Sequence, residues 1–325
     1  MILAGDIGGT KTRLGLFDPG DGRPRPLVVR VFVTLDFDDL ATMVAAFLED
    51  DAVKDASIDS ACFGVAGPVV GDAAELTNVP WRVDGRRLAT KFRWPRVRLL
   101  NDLQAMAYSV PVLQATELHE LQQGRAVAGG NLALIAAGTG LGEALLQWVD
   151  GRFVPSPSEG GHADFAARTE REIVLLRDLI RRHGRADVER VVSGPGLVNV
   201  HRVTHRGRCA ASIDLEDPDA PALISASALG RRCDGCVEAL ELFVEAYGAE
   251  AGNLALRTVA TGGVFIGGGI APKILPALTD GRFLRAFRQK TPLEPLLEAM
   301  PVKVILNGEA GLLGAAVYAK LRGQD

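Results

Sequence analysis

Three short glycine runs carry most of the chemistry this sequence could do. Gly8-Gly9-Thr10 follows the apolar run Ile2–Ala4 and Asp6, Gly138-Thr139-Gly140 follows Asn131–Ala136, and Gly262–Gly269 encloses the apolar triplet Val264–Ile266. Glycines let backbone N–H groups come close to an anion, and Thr10 and Thr139 add hydroxyl donors, so the first two runs suit phosphates. The third, through Gly262, Gly263, Gly267, Gly268 and Gly269, offers bare backbone against which a flat adenine could lie. Asp6, at a strand end, could face a divalent cation, the natural choice being Mg²⁺ carried by a nucleotide and held partly through water. Each run alone reads equally well as a tight hairpin turn. Three of them spaced along one chain point to a nucleotide. Neither a Walker loop nor a dinucleotide fingerprint is present, because the G-x-x-x-x-G-K-[ST] spacing and the distal ribose carboxylate are both missing.

Between the glycine runs stand acids, amides and imidazoles. Asp102 ends a probable strand, where its carboxylate can orient a hydroxyl and take its proton during group transfer. Asn101-Asp102 is equally well suited to capping the helix that follows at Leu103, and the two residues can divide those jobs. Glu159 and His162 share a glycine-containing loop, and Glu189 lies before Val191-Val192. Carboxylates, an imidazole and an amide such as Asn101 form the donor and acceptor set that a polyhydroxylated substrate demands. Taken singly, Glu159 reads as a surface residue and His162 as a loop hydrogen-bonder.

These groups need elements to hold them. Ile2–Ala4 and Arg13–Phe17 read as a hairpin, Val28–Val33 as a third strand, 37–48 as a helix and Ala61–Val65 as a buried strand, an α/β order whose ligands gather at strand ends. Arg96–Leu100 is a strand running into Asn101-Asp102, and 103–110 is a helix. A domain boundary is expected here, before the loop around Gly124–Gly130. Residues 131–149 repeat the strand, glycine turn and strand order of the N-terminal hairpin, the pattern of an internal duplication. Glu170–His183, 197–203 and 236–259 read as helices, with His201 and His205 at helical spacing, and the segment 156–164 as a polar loop.

Composition narrows the function class. With 47% hydrophobic and 23% charged residues the 325-residue chain is that of a soluble globular protein of two domains. Its formal charge of -4 gives no field favouring nucleic acid or an anionic membrane. No apolar run is long enough to span a bilayer, no signal segment is evident, and the cytoplasm is the expected compartment. Cys62, Cys209, Cys233 and Cys236 are too few and uneven for a disulfide framework. Cys233-x-x-Cys236 has metal-ligand spacing with His201, His205 and Cys209 upstream, but helical periodicity runs through Cys236, so no structural zinc is expected.

The ordered motifs GDIGGTKTRLGLFD (5–18), ACFGVAGPVVGD (61–72), LTNVPW (76–81), LLNDLQAMAYSVP (99–111), AAGTGLGEA (136–144), SEGGHADFA (158–166), ERVVSGPGLVN (189–199) and GGVFIGGGIAPK (262–273) resemble the bacterial glucokinase family of the proteobacterial type. That family lies in the actin-like ATPase and sugar kinase superfamily, and the resemblance covers nearly the whole chain. It implies an α/β, two-domain, ribonuclease H-like fold with ATP and D-glucose in the cleft. It also implies a small domain of residues 1–110 completed by a helix near 312–325, and a large domain of 111–311. Gly8, Gly9 and Thr10 match the family's first phosphate segment, Gly138, Thr139 and Gly140 its second, and the third run its adenosine segment. Asn101, Glu159, His162 and Glu189 fall on its glucose-binding positions and Asp102 on its catalytic base, while Asn78 and Gly138 fall near the sugar.

The implied reaction is ATP- and Mg²⁺-dependent phosphorylation of the glucose C6 hydroxyl by a homodimer, without nucleic-acid or membrane partners. Lys11-Thr12 departs from the Asn-Ala pair of many members and resembles the related ROK sugar kinases. The cysteine-rich zinc motif of ROK proteins is absent after His162. Competing readings are a kinase for fructose, mannose or an N-acetylhexosamine, and a non-catalytic sugar sensor, which would need a DNA-binding extension for which the N-terminal hairpin leaves no room.

Overall fold

The computed structural model describes residues 1–76, 79–205 and 209–321. The chain divides into two compact units, the first of Met1–Gln114, Phe153–Pro157 and Asn307–Asp325 and the second of Ala115–Arg152 and Ser158–Leu306.

In the first unit, β1 (Ile2–Ile7), β2 (Lys11–Asp18) and β3 (Arg25–Val33) form an antiparallel meander. After helix α1 (Leu40–Leu48), capped by Asp39 with Thr42 in a reciprocal capping box, β4 (Ser60–Val65) returns parallel to β1. A small ribbon of β5 (Val69–Val70), β6 (Ala73–Glu75) and β7 (Arg82–Asp84) and helix α2 (Gly85–Phe92) lead into β8 (Val97–Asn101), which lies parallel to β4 and passes directly into α3 (Asp102–Ser109). The main sheet order is β3-β2-β1-β4-β8.

The central strands are largely apolar because both faces are covered. Leu3 and Ile7 pack with Met43, Val44 and Phe47 of α1. Ile2, Ala4 and Cys62 turn the other way, onto Leu312, Ala315, Ala316 and Ala319 of a helix formed late in the chain, Ala310–Leu321. Ser60 Oγ donates to Ala319 O at 3.0 Å. This late helix also crosses α3 at backbone contact, a closeness that its small residues permit.

The second unit begins with β9 (Leu118–Gln122), followed by the hairpin β10 (Leu132–Ala137) and β11 (Leu141–Val149), and β12 (Arg152–Ser158). Helices α4 (Glu170–His183), α5 (Gly194–Thr204), α6 (Ala220–Leu229) and α7 (Asp234–Thr258) precede β13 (Gly263–Gly267). Three short helices, α8 (Leu275–Leu278), α9 (Arg282–Arg288) and α10 (Glu294–Ala299), then lead to β14 (Val302–Ile305). The sheet order is β12-β11-β10-β13-β14-β9, with β10, β13 and β14 parallel. Helix α7 packs beneath it, and the fully buried Tyr247 brings its hydroxyl within 3.3 Å of Ala137 N and 3.4 Å of Gly267 O.

Each unit therefore repeats one pattern, a hairpin with a glycine turn whose first strand is followed by two parallel neighbours. Two strands differ from the sequence reading. Leu118–Gln122, to which the sequence reading assigns no element, is an edge strand antiparallel to β14, because an edge strand needs only a few buried side chains. The polar stretch after Ser156 stays extended to Ser158 before a single 3₁₀ turn at Gly160–His162. Among the described residues no helix is long and apolar enough to cross a membrane.

Candidate active site

In the first unit the site grows from the ends of β1 and β8. Asp6 lies opposite Arg13 in the β1–β2 register, its Oδ2 3.8 Å from the guanidinium. Burial raises the Asp6 carboxyl to about 6 against the pull of Arg13, and the negative Asp102 adds to the rise. The Gly8–Thr10 turn is braced by Thr34, whose hydroxyl donates to Gly8 O at 2.8 Å and whose N–H donates to Thr10 O at 3.0 Å. At the head of α3, Asn101 is the cap, with Oδ1 accepting from Leu103 N at 2.9 Å and Gln104 N at 3.4 Å. Its Nδ2 donates to Gly67 O at 3.3 Å. Asp102 is exposed beside it, with Oδ1 accepting from Leu103 N at 2.8 Å. Asn101 is thus the cap of α3, and the exposed Asp102 carboxylate shares the Leu103 N–H with it.

In the second unit the Gly138–Gly140 turn and the Glu159–Glu189 region form one hydrogen-bonded block. Gly138 N donates to Gly140 O and Gly194 N to Gly138 O, both at 2.8 Å. Glu189 Oε2 accepts from Leu141 N at 2.9 Å, and Glu189 N donates to Gly161 O at 2.8 Å. Ser193, the cap of α5, donates its hydroxyl to Glu189 O at 2.7 Å. Glu159 and His162 are both exposed on the adjoining 3₁₀ turn, His162 N donating to Glu159 O at 3.0 Å. Arg185 holds the His162 carbonyl. Gly267 ends β13 beside Ala136, and Gly268, at φ +83°, lies so close to the Ala137 backbone that a side chain would collide with it.

The structure accordingly gathers Asp6, Gly8–Thr10, Asn101 and Asp102 in one unit, and Gly138–Gly140, Glu159, His162, Glu189 and Gly267–Gly269 in the other. Gly262 and Gly263 do not join the latter group. They pair with the start of β10, at the opposite end of β13 from Gly267–Gly269. Asn78 falls outside the described residues. Sequence reasoning missed Glu143, buried at 1% exposure on β11 against the Gly160 turn. Burial and the neighbouring Glu250 push its carboxyl well above the usual range, against Arg257. An acid at an inward position between apolar strand residues was the available signal.

The expectation of no structural zinc is corrected by the second unit. His201, His205, Cys209 and Cys236 bring ligand atoms within 4.8 Å of one another, a donor set that suits zinc. Helix α7 starts at Asp234, which makes Cys233 its N-cap and Cys236 a first-turn residue, so both can face the end of α5.

Paired hairpin-led sheets with glycine turns at their strand ends, together with a strand-end aspartate, define a sugar kinase of the actin-like ATPase superfamily. A glucokinase structure from an Antarctic psychrotroph superposes with a TM-score of 0.85 at 30% identity over 98% of both chains. A Balamuthia mandrillaris glucokinase, solved in complex with glucose, shares the fold with a TM-score of 0.78 at 22% identity over 98% of this chain and 93% of that one. A Nostoc punctiforme glucokinase is 41% identical over 98% of each chain. The glucokinase family profile matches residues 3–322, and the chain belongs to that family. Its activity is ATP-dependent phosphorylation of D-glucose.

Proposed function

We propose that Asp102 is the general base that takes the proton of the glucose C6 hydroxyl as its oxygen attacks the γ-phosphorus of ATP. The observation that carries this reading is the head of α3, where Asn101 takes the cap and leaves the Asp102 carboxylate exposed and oriented by Leu103 N–H. Asn101, Glu159, His162 and Glu189, with Asn78 by its family position, hold the sugar hydroxyls. An aspartate is a weak base near neutrality, so its contribution is placement as much as proton affinity.

The turns are closed by Gly8 N–H to Lys11 O and Gly138 N–H to Gly140 O, which leaves the N–H groups of Gly9, Thr10, Thr139 and Gly140 to receive the phosphates, while the Gly267–Gly269 backbone receives the adenosine. Asp6 fits a water-mediated Mg²⁺ ligand, being a partly buried carboxylate with one long contact to Arg13. When bound, Mg²⁺ supplies charge neutralisation at the transferring phosphoryl group. The same reading has the protein act as a cytoplasmic homodimer without nucleic-acid partners, a state that light scattering checks directly.

The test is glucose 6-phosphate formation with ATP and Mg²⁺, run beside fructose, mannose and N-acetylglucosamine. Asp102→Ala should lower kcat by about 10²–10⁴ while glucose binding weakens only modestly. Full turnover in that variant would remove Asp102 from the role, and faster turnover of another hexose would rename the substrate.

A further inference from the structure

The end of α5, the residue Cys209 beyond it and the start of α7 collect two imidazoles and three thiols that phosphoryl transfer does not use. His201 is 2% exposed, and among the described residues neither of its ring nitrogens has a hydrogen-bond partner. Leaving a buried polar group unpaired is costly, so a ligand for this ring is the economical explanation. His205 stacks on it with ring centroids 3.7 Å apart.

The remaining distances are those of a coordination shell. Cys233 Sγ lies 3.1 Å from His205 Nε2 and 3.8 Å from Cys209 Sγ, which in turn lies 3.9 Å from Cys236 Sγ. Metal bonds of about 2.3 Å to sulfur and 2.0 Å to nitrogen set tetrahedral ligand atoms roughly 3.3–3.8 Å apart. All three thiols are free, so no disulfide explains their approach. The backbone is shaped to the cluster as well. A Cβ at Gly235 would stand 2.5 Å from the His205 ring, and Gly235 O accepts from the Thr204 hydroxyl at 3.0 Å. A cavity of about 510 Å³, bordered by Asp178, Arg182, His201, His205 and Cys209, opens beside the cluster as an entry path.

We propose that this cluster is a structural zinc centre. His201, His205, Cys209 and Cys236 form the four-ligand set, with Cys233 Sγ beside His205 and Cys209. The ion would tie the end of α5 to the start of α7. The other end of α5 is capped by Ser193, which also bonds Glu189 O, so the tie braces the helix that presents a sugar-binding carboxylate. Zinc in this role holds structure and takes no part in the reaction.

Elemental analysis of purified protein should find one zinc per chain, retained through dialysis and released when a mercurial captures the thiols. Replacement by Co²⁺ should give the intense visible bands of tetrahedral geometry together with thiolate charge-transfer absorption. Cys209→Ser and Cys236→Ser should each drop zinc to the buffer blank, whereas Cys62→Ser, in the first unit, should keep it. If the serine variants fail to fold, the wild-type stoichiometry and cobalt spectrum still decide. Zinc at blank level in active protein, with the thiols freely reactive or joined as a disulfide by mass, would overturn the proposal, as would a cobalt spectrum without thiolate bands.

Discussion

Replacing Gly140 with alanine tests whether the second glycine turn sets the position of Glu189. A Cβ at residue 140 would stand 2.6 Å from Glu189 Oε2, so the carboxylate must retreat by about 0.8 Å to reach ordinary contact at 3.4 Å. That oxygen accepts from Leu141 N at 2.9 Å, and a shift of this size takes the contact toward or past hydrogen-bonding range. The obstacle is the far end of a flexible side chain, so stability should fall only by the worth of one charge-assisted bond, about 1.5–3 kcal/mol at most.

Glucose affinity should respond more visibly, because a hydrogen bond between Glu189 and a sugar hydroxyl is worth a similar amount. Its misalignment should weaken binding by about tenfold to a hundredfold. The assay is calorimetric titration of glucose without nucleotide, beside a thermal melt and a separate ATP titration, since Gly140 also belongs to the proposed phosphate turn. Unchanged glucose affinity in Gly140→Ala, with a clear loss in Glu189→Ala, would refute the idea that the turn places the carboxylate. Unchanged affinity in both would remove Glu189 from the sugar site.

Two further outcomes follow from the first unit. Because burial raises the Asp6 carboxyl to about 6, kcat/KM at saturating Mg²⁺ should fall on the acid side with a limb near that value, and Asp6→Asn should lower activity and abolish the limb. A carboxyl raised on folding favours the native state below its unfolded value of 3.8 and loses that contribution as pH rises through 6, so melts of Asp6→Asn should show a flatter pH dependence in that window. Gly314→Ala places a Cβ 1.7 Å from Ala105 O. The late helix must then part from α3, at a cost of about 1–3 kcal/mol or more, read by chemical denaturation, with a fall in kcat because α3 begins at Asp102; wild-type stability and turnover would show that the crossing is looser than it is drawn.

What could be read from the sequence followed the range of each signal. β1 and β10 are legible because strands buried on both faces are continuous apolar runs, and their glycine turns are local. The choice between Asn101 and Asp102 as cap was not, since both residues suit the position and only the α3 hydrogen bonds decide it. Gly262–Gly269 looks like one cluster in one dimension, but a strand separates its members in space. The zinc expectation failed for a similar reason. Cys236 is helical, as the periodicity implies, but it lies in the first turn of α7 beside the cap Cys233, and more than twenty residues separate Cys209 from Cys233, so their approach belongs to tertiary structure.

The late helix has a consequence for biosynthesis. Ser60 and its partner Ala319 are 259 positions apart, so at 5–20 residues per second a ribosome needs roughly 10–50 s to supply the second after the first. Throughout that interval the nascent sheet face of Ile2, Ala4 and Cys62 has no cover from this helix, a period of exposure to chaperones and to other growing chains. The second unit can complete its fold meanwhile, because apart from β12 it is drawn from one continuous stretch. Asp6, whose carboxyl carbon a Cβ at Gly311 of the late helix would approach to 3.2 Å, gains its final surroundings last. Translation itself thus orders maturation, with the surroundings of Asp6 among the last parts to be assembled.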